Sequence, residues 1–285
     1  MKDELDLDNR RLSFIPEDVF EHSQLKKLSL YKNELTSIPD SLWDLSNLQI
    51  LNLADNRLIF ISENIRKLEN LHTLDIGHNA LTALPESLGE LINLTYFLYL
   101  SNNHLTSIPD SIGNLTTLRY LNVTDNKISR LPESIGYMTS LIEIRLYNNL
   151  LEALPESFGK LVNLKELHLQ NNKLAALPAS FGSLKGLKKL DLQDNDLCAL
   201  PETFVNLPKL AELNLRNNKL QSLSESFSKL LNLRFLDLRA NRLTKFPESI
   251  WNLPKLEKLD LRWTKLEIAS EKIEKLERRG CVVFI

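Results

Sequence analysis

The chain has 285 residues, 43% of them hydrophobic and 25% charged, with a formal net charge of −2. A near-neutral balance without long single-sign runs argues against nucleic acid or an anionic membrane surface as the main partner. No apolar run approaches the roughly 18 residues that span a bilayer. The two cysteines, Cys198 and Cys281, belong to no C-x-x-C pair, which favours a reducing compartment over a disulfide-stapled scaffold. The opening residues from Met1 to Asp6 carry no basic-then-apolar leader, so a cytoplasmic location is expected, with export into a host cell as the alternative.

The first unit, residues 1–23, is degenerate: Leu5-Asp-Leu7-Asp-Asn-Arg10-Arg-Leu12 places Arg10 where later units carry Asn. A terminal unit faces water on one side, and Asp3, Glu4, Asp6 and Asp8 suit that exposure.

From there the stretch typified by Leu51-Asn-Leu-Ala-Asp-Asn56-Arg-Leu58 returns throughout. Its Asn recurs as Asn33, Asn56, Asn79, Asn103, Asn126, Asn149, Asn172, Asn195, Asn218 and Asn241. Eight of the nine intervals are 23 residues and one, from Asn79 to Asn103, is 24. Period-2 alternation in the strand sends Leu51 and Leu53 inward and Ile50, Asn52 and Ala54 outward. The recurrent Asn is read as a partner for unpaired backbone groups at the turn. Each unit then returns through a Pro-marked segment such as Leu84-Pro85-Glu86-Ser87-Leu88, expected to be a short helical turn opened by Pro. Gly89, Gly113, Gly136, Gly159 and Gly182 follow, and are read as allowing tight turning. Three Asn-x-Thr triplets, at Asn93, Asn114 and Asn122, are read as repeat pattern rather than glycosylation sites.

The 24-residue interval admits two registers, because a one-residue slip exchanges the faces of a strand. Counting back from Asn103 puts Leu98 and Leu100 inside, with the extra residue absorbed as a bulge near Thr95–Phe97. Such a bulge is either functional or a neutral insertion. At the end, Thr264 replaces Asn. Residues 270–280 read as a helix capped by Ser270, with Glu271 and Lys275 paired and Gly280 as terminator. Val282 and Phe284 lie 23 residues after Leu259 and Leu261, which predicts a thirteenth strand with both side chains inward. The array is read as one body over 1–285: the degenerate unit, regular repeats over 24–266, and a closing helix and strand over 267–285.

The Leu-Pro-Glu-Ser-Ile-Gly return segment and the Asn series resemble leucine-rich repeats of the intracellular Ras-suppressor and Scribble-type class, which also resemble many bacterial repeat proteins. The resemblance implies an α/β solenoid, right-handed and curved, with a parallel sheet on the concave face and short helical or extended segments on the convex face. It also implies a role in protein–protein recognition. It transfers the buried Leu and Asn positions and no binding residue.

Neither a phosphate-binding loop, a G-x-S-x-G nor an H-E-x-x-H occurs, so neither an enzyme, a metal site nor a cofactor is expected. His78 and His104 fall on neighbouring units but do not make a metal site. The outward strand positions say more. Phe97, Tyr99, Tyr120 and Tyr147 occupy three consecutive units, with Arg145 and His168 beside them. Tyr and Arg clusters anchor many protein interfaces, while stacking that merely stabilises the sheet is the plainer reading. A second candidate surface comprises Arg216, Arg239 and Arg262 in one column with Phe235 and Trp263 nearby. Asp191, Asp237 and Asp260 stand in the next column. This surface either takes an acidic partner or neutralises itself as a ladder of weak pairs. Trp43 and Trp251 are read as packing. The expected function is a non-enzymatic module that binds a protein or peptide on the concave face. Glycan or small-ligand recognition by the same patch, or a bacterial effector acting on host proteins, are the alternatives. The last strand could also pair edge to edge in a homodimer.

Overall fold

The computed structural model describes residues 3–285 and divides into two compact units, one ending at Arg145 and the other spanning Leu146–Ile285. The first unit holds strands β1 (Glu4–Asp6), β2 (Lys27–Ser29), β3 (Ile50–Asn52), β4 (Thr73–Asp75), β5 (Phe97–Tyr99), β6 (Tyr120–Asn122) and β7 (Glu143–Arg145), each parallel to its sequence neighbour. The second holds β8 (Glu166–His168), β9 (Lys189–Asp191), β10 (Glu212–Asn214), β11 (Phe235–Asp237), β12 (Lys258–Asp260) and β13 (Val282–Phe284), also parallel and in order. Eleven five-residue 3-10 turns among the described residues form the return segments, and one α-helix, α1 (Ser270–Glu277), precedes the last strand.

The strands are only three residues long because the chain must leave the sheet as soon as one inward side chain has been placed. Leu28, Leu51, Leu74, Leu98 and their counterparts are buried. The third outward position sinks below the surface where the side chain is small, as at Ala54, Ser101 and Thr124. After each strand the residue before the ladder Asn adopts a left-handed backbone, for example Asp55, His78, Asp125 and Asn171 at φ between 51° and 56°. Asn and Asp tolerate that region better than other non-glycine residues, which explains their frequency there.

The ladder Asn does the work assigned to it. Asn126 Nδ2 donates to the carbonyls of Leu100, Val123 and Thr124 at 3.0, 3.2 and 3.0 Å. Its Oδ1 accepts from Leu105 N at 3.0 Å. One amide thus joins its own turn to the preceding repeat, and Asn56, Asn172, Asn195 and Asn218 repeat the pattern within their units.

In the return segments Pro stands just before the helical turn, not within it. Pro85 at φ −69°, ψ 147° occupies the N-cap. Where Ser62 and Ser224 replace Pro, the hydroxyl accepts from the backbone N two residues on. The glycines are not turning residues. A Cβ on Gly113 or Gly159 would stand 2.5 or 2.4 Å from the backbone oxygen of Ser134 or Ser180, so Gly is present because adjacent return segments pack backbone against backbone. Trp43 and Trp251 are buried as packing residues. In the second unit Phe181, Phe204 and Phe227 are buried and stack at 6.0 and 6.1 Å.

The 24-residue repeat has the expected register: Leu98 pairs with Leu74, and Leu98 and Leu100 are buried. In the regular repeats of this unit one carbonyl ahead of the strand accepts two N–H groups, as Gln49 O does from His72 N and Thr73 N. At the insertion the carbonyls of Thr95 and Tyr96 take Arg119 N and Tyr120 N separately, and Arg119 O resumes the double role for Ile142 N and Glu143 N.

The ends depart from expectation. Asp3 and Glu4 do not stand free but pair with Lys26 and Lys27 at 2.9 and 3.2 Å. Ser270 is the first residue of α1, with Ala269 at the N-cap. Lys275 donates to Asn252 Oδ1 at 2.9 Å rather than pairing with Glu271, and the i,i+4 pair is Arg278–Glu274. Gly280 ends the helix at φ 85° as expected. β13 exists, but Val283, not Val282, aligns with Leu259, a step of 24. Val282 and Phe284 therefore face outward, 53% and 36% exposed. A full α-helix in place of the five-residue turn supplies the additional residue.

Replacing Asn126 by Ala strips partners from Leu105 N and from the Leu100 and Val123 carbonyls, and is expected to lower urea-unfolding stability by about 2–5 kcal/mol. Exposed Lys127→Ala should stay within about 0.5 kcal/mol; similar effects for the two would contradict the ladder's role.

Candidate partner-binding site

The aromatic patch is built where β4, β5 and β6 meet. Phe97 and Tyr99 project from the same face of β5, and Tyr120 opposes Phe97 from β6. The Phe97 ring stacks on Tyr99 at 5.4 Å and 15°, and on Tyr120 at 4.7 Å and 25°. All three rings are half-buried. The inserted residue adds a ring that the strand pattern alone does not place: Tyr96, 49% exposed, meets His72 edge to face at 6.2 Å. The signal for Tyr96 was the irregular interval itself.

Burial acts on the two ionisable groups at the heart of this patch. Burial raises the Tyr99 phenol above its ordinary value, reinforced by the nearby Asp75 carboxylate. Burial also raises Asp75, against the hydrogen bond it accepts from Gly77 N. Tyr99 therefore remains a neutral hydroxyl able to donate or accept. Arg145 lies at the margin of the same unit, its Nε 2.5 Å from Glu143 Oε1. It is half of an ion pair, with its own side chain 49% exposed. Tyr147 and His168 belong to the second unit. Both are half-buried, and His168 Nε2 lies 3.6 Å from Glu166.

The second predicted surface resolves into distinct parts. Arg239 holds Asp237 through Nε and Nη2 at 2.9 and 2.5 Å and approaches Asp260 at 3.4 Å. Arg262 holds Asp260 at 2.9 and 2.7 Å. These two arginines form the self-neutralising ladder. Asp260 is its centre, with a side chain only 1% exposed. Burial pushes the Asp260 carboxyl up, but hydrogen bonds from Arg262 and the charges of Arg239 and Arg262 outweigh it and hold the group below its ordinary value. Phe235 stands in the outermost column, carries the Arg234 guanidinium at 5.3 Å, and lines a depression of about 270 Å³ with Lys189, Asp191, Glu212 and Lys258. Trp263 is 65% exposed, with Arg216 and Arg262 at 5.9 and 5.5 Å from its ring.

Asp260→Asn should destabilise the chain by roughly 1–3 kcal/mol near neutral pH, since it replaces a charged acceptor of two arginines. A carboxyl lowered in the folded state stabilises above its unfolded pKa of about 3.9, and that stabilisation is lost as pH falls through the folded value. Unfolding midpoints of wild type and variant should therefore converge below about pH 4; a gap that persists into strong acid would refute the ionic role.

Comparison with known proteins places the chain. The family model described as Leucine rich repeat matches residues 3–58, 141–197, 162–220, 199–243 and 224–266. Two related models cover 88–168 and 46–90. No curated protein matches. Among solved structures, a leucine-rich repeat protein of Leptospira interrogans is 26% identical with a TM-score of 0.53, aligning 99% of this chain with 95% of that one. An internalin of Listeria monocytogenes is 22% identical over 99% of this chain and 86% of its own, with a TM-score of 0.75. The ectodomain of the Arabidopsis thaliana receptor kinase GASSHO1/SCHENGEN3, solved in complex with CASPARIAN STRIP INTEGRITY FACTOR 2, is 30% identical with a TM-score of 0.75; the alignment takes 99% of this chain and 41% of the receptor chain. Among the described residues no helix is long and apolar enough to cross a membrane. With the repeat model covering more than half of its length, the chain belongs to the leucine-rich repeat family.

Proposed function

We propose that this chain is a non-enzymatic interaction module that holds a partner protein or peptide on the exposed face of its strands. Phe97, Tyr99 and Tyr120 are the anchors and Arg145 is the polar neighbour. The observation that carries this reading is the stack of three half-buried rings at 4.7 and 5.4 Å on outward strand positions. Nothing in the core requires them, since Leu98, Leu100 and Leu121 fill the inward side. The inserted residue enlarges the same patch with Tyr96. Rings that are pre-stacked lose little side-chain freedom on binding, and rigid aromatic anchors dominate interface energetics. Tyr147 and His168, in the second unit, are assigned no part in the anchor. The free thiols of Cys198 and Cys281 support a reducing, cytoplasmic setting for the interaction.

The test is affinity capture from native lysate with wild type beside a Tyr99→Ala/Tyr120→Ala variant. Stacking adds only about 0.5–1.5 kcal/mol per ring pair beyond area burial, and the inward leucines are untouched, so the variant should keep the wild-type circular dichroism. A protein retained by wild type alone is the expected result. Equal capture by both would reduce the patch to sheet packing, and binding confined to a glycan array would replace the protein reading with a carbohydrate one.

A further inference from the structure

Three consecutive units carry an acid or amide, a Leu and an Arg at the same positions: Asn214-Leu215-Arg216, Asp237-Leu238-Arg239 and Asp260-Leu261-Arg262. In the last two, the Asp accepts both the backbone N and the guanidinium of its Arg. In the first, Asn214 Oδ1 keeps the backbone bond to Arg216 N at 3.1 Å. It offers no charge, and Arg216 makes no ion pair among the described residues. The substitution preserves the turn and removes the counter-ion. Within these three units three guanidiniums face two carboxylates. Asp191 stands beside Asn214 in the preceding unit but makes no ion pair with Arg216, which is the one arginine of this column without a carboxylate partner among the described residues.

Trp263 adds an independent observation. Its backbone is left-handed, φ 59°, a conformation that disfavours bulky side chains. At the equivalent left-handed position the preceding repeats of this half carry Asn148, Asn171, Asp194, Asn217 and Ala240, so the fold itself asks for no ring there. The ring is nonetheless 65% exposed and lies within cation–π range of Arg216. Ala240, between Asn217 and Trp263 in that column, is the smallest side chain of the series.

We infer that Arg216 and Trp263 form a clamp for a carboxylate side chain of an acidic protein segment. Arg216 receives the carboxylate through its paired N–H donors, the geometry that guanidinium recognition favours. Trp263 covers the methylenes leading to it. Arg262, already paired with Asp260, packs on the same ring at 5.5 Å, and Arg239 is held by Asp237. This clamp lies wholly in the second unit and shares no residue with the Phe97 stack, so either assignment can fail without the other.

Trp263 also provides the probe, because the other two tryptophans, Trp43 and Trp251, are buried. Titration of the full chain with a hexaglutamate peptide at low ionic strength should give a saturable change in tryptophan emission that weakens with added salt. Arg216→Ala should weaken it at least about tenfold. Asn214→Asp, which restores the internal carboxylate, should do the same while leaving the fold intact by circular dichroism. Trp263→Phe should remove the optical response. A wild-type titration without saturation, an undiminished response in either Arg216→Ala or Asn214→Asp, or an equal response to inorganic phosphate would each overturn the assignment.

Discussion

Each strand in this chain ends in a turn that carries backbone N–H and C=O groups below the surface, where a group without a partner costs roughly 1–3 kcal/mol. In the regular repeats one side-chain amide serves several of them at once. Asn126 bonds to backbone of its own turn and to Leu100 and Leu105 in the repeat before it. The short strands, the left-handed residue before each Asn and the abrupt exit into the return segment are all made tolerable by that amide. The leucines supply the area removed from water, but they would be satisfied in many packings. The amide admits one.

Much of this could be read in the residues, and the reasons for what could not are physical. The Asn period and the Leu alternation report directly on burial, so the strands, the register across the 24-residue interval and the packing of Trp43 and Trp251 were all predictable. The last strand was misplaced because period counting presumes a return segment of constant length, and α1 is longer than the turns it replaces. Gly113 and Gly159 were misread because the feature that selects them is the backbone of the next repeat, a long-range contact with no local mark. At the candidate site the aromatic positions were visible, but not that Phe97 stacks on both neighbours or that Tyr96 joins through the insertion. The Arg column was visible as well. The difference between Asn214 and Asp237 becomes meaningful only when the Asp–Arg bonds of the following units are seen.

Charge is handled differently at the two sites. Around Tyr99, burial disfavours ionisation of its phenol, and the surface presents ring faces. Around Asp260, buried charge is held by two guanidiniums, and the surface presents arginines that are mostly committed. Partners suited to one would not suit the other: the first rewards shape and apolar contact, the second formal charge. The repeat fold permits such contrast because outward strand positions do not take part in the core.

The inserted residue at Thr95–Tyr96 has a consequence for how such a chain can lengthen and diverge. The disturbance to the hydrogen bonds begins at His72 and is gone by Arg119, and β6 and β7 return to a step of 23. Positional information in the array is therefore handed only from one unit to the next, and a local error is forgotten within two. Loss, gain or duplication of whole units can proceed without rewriting the remainder, and single-residue slips can be retained as raw material for new surface while the frame downstream stays intact.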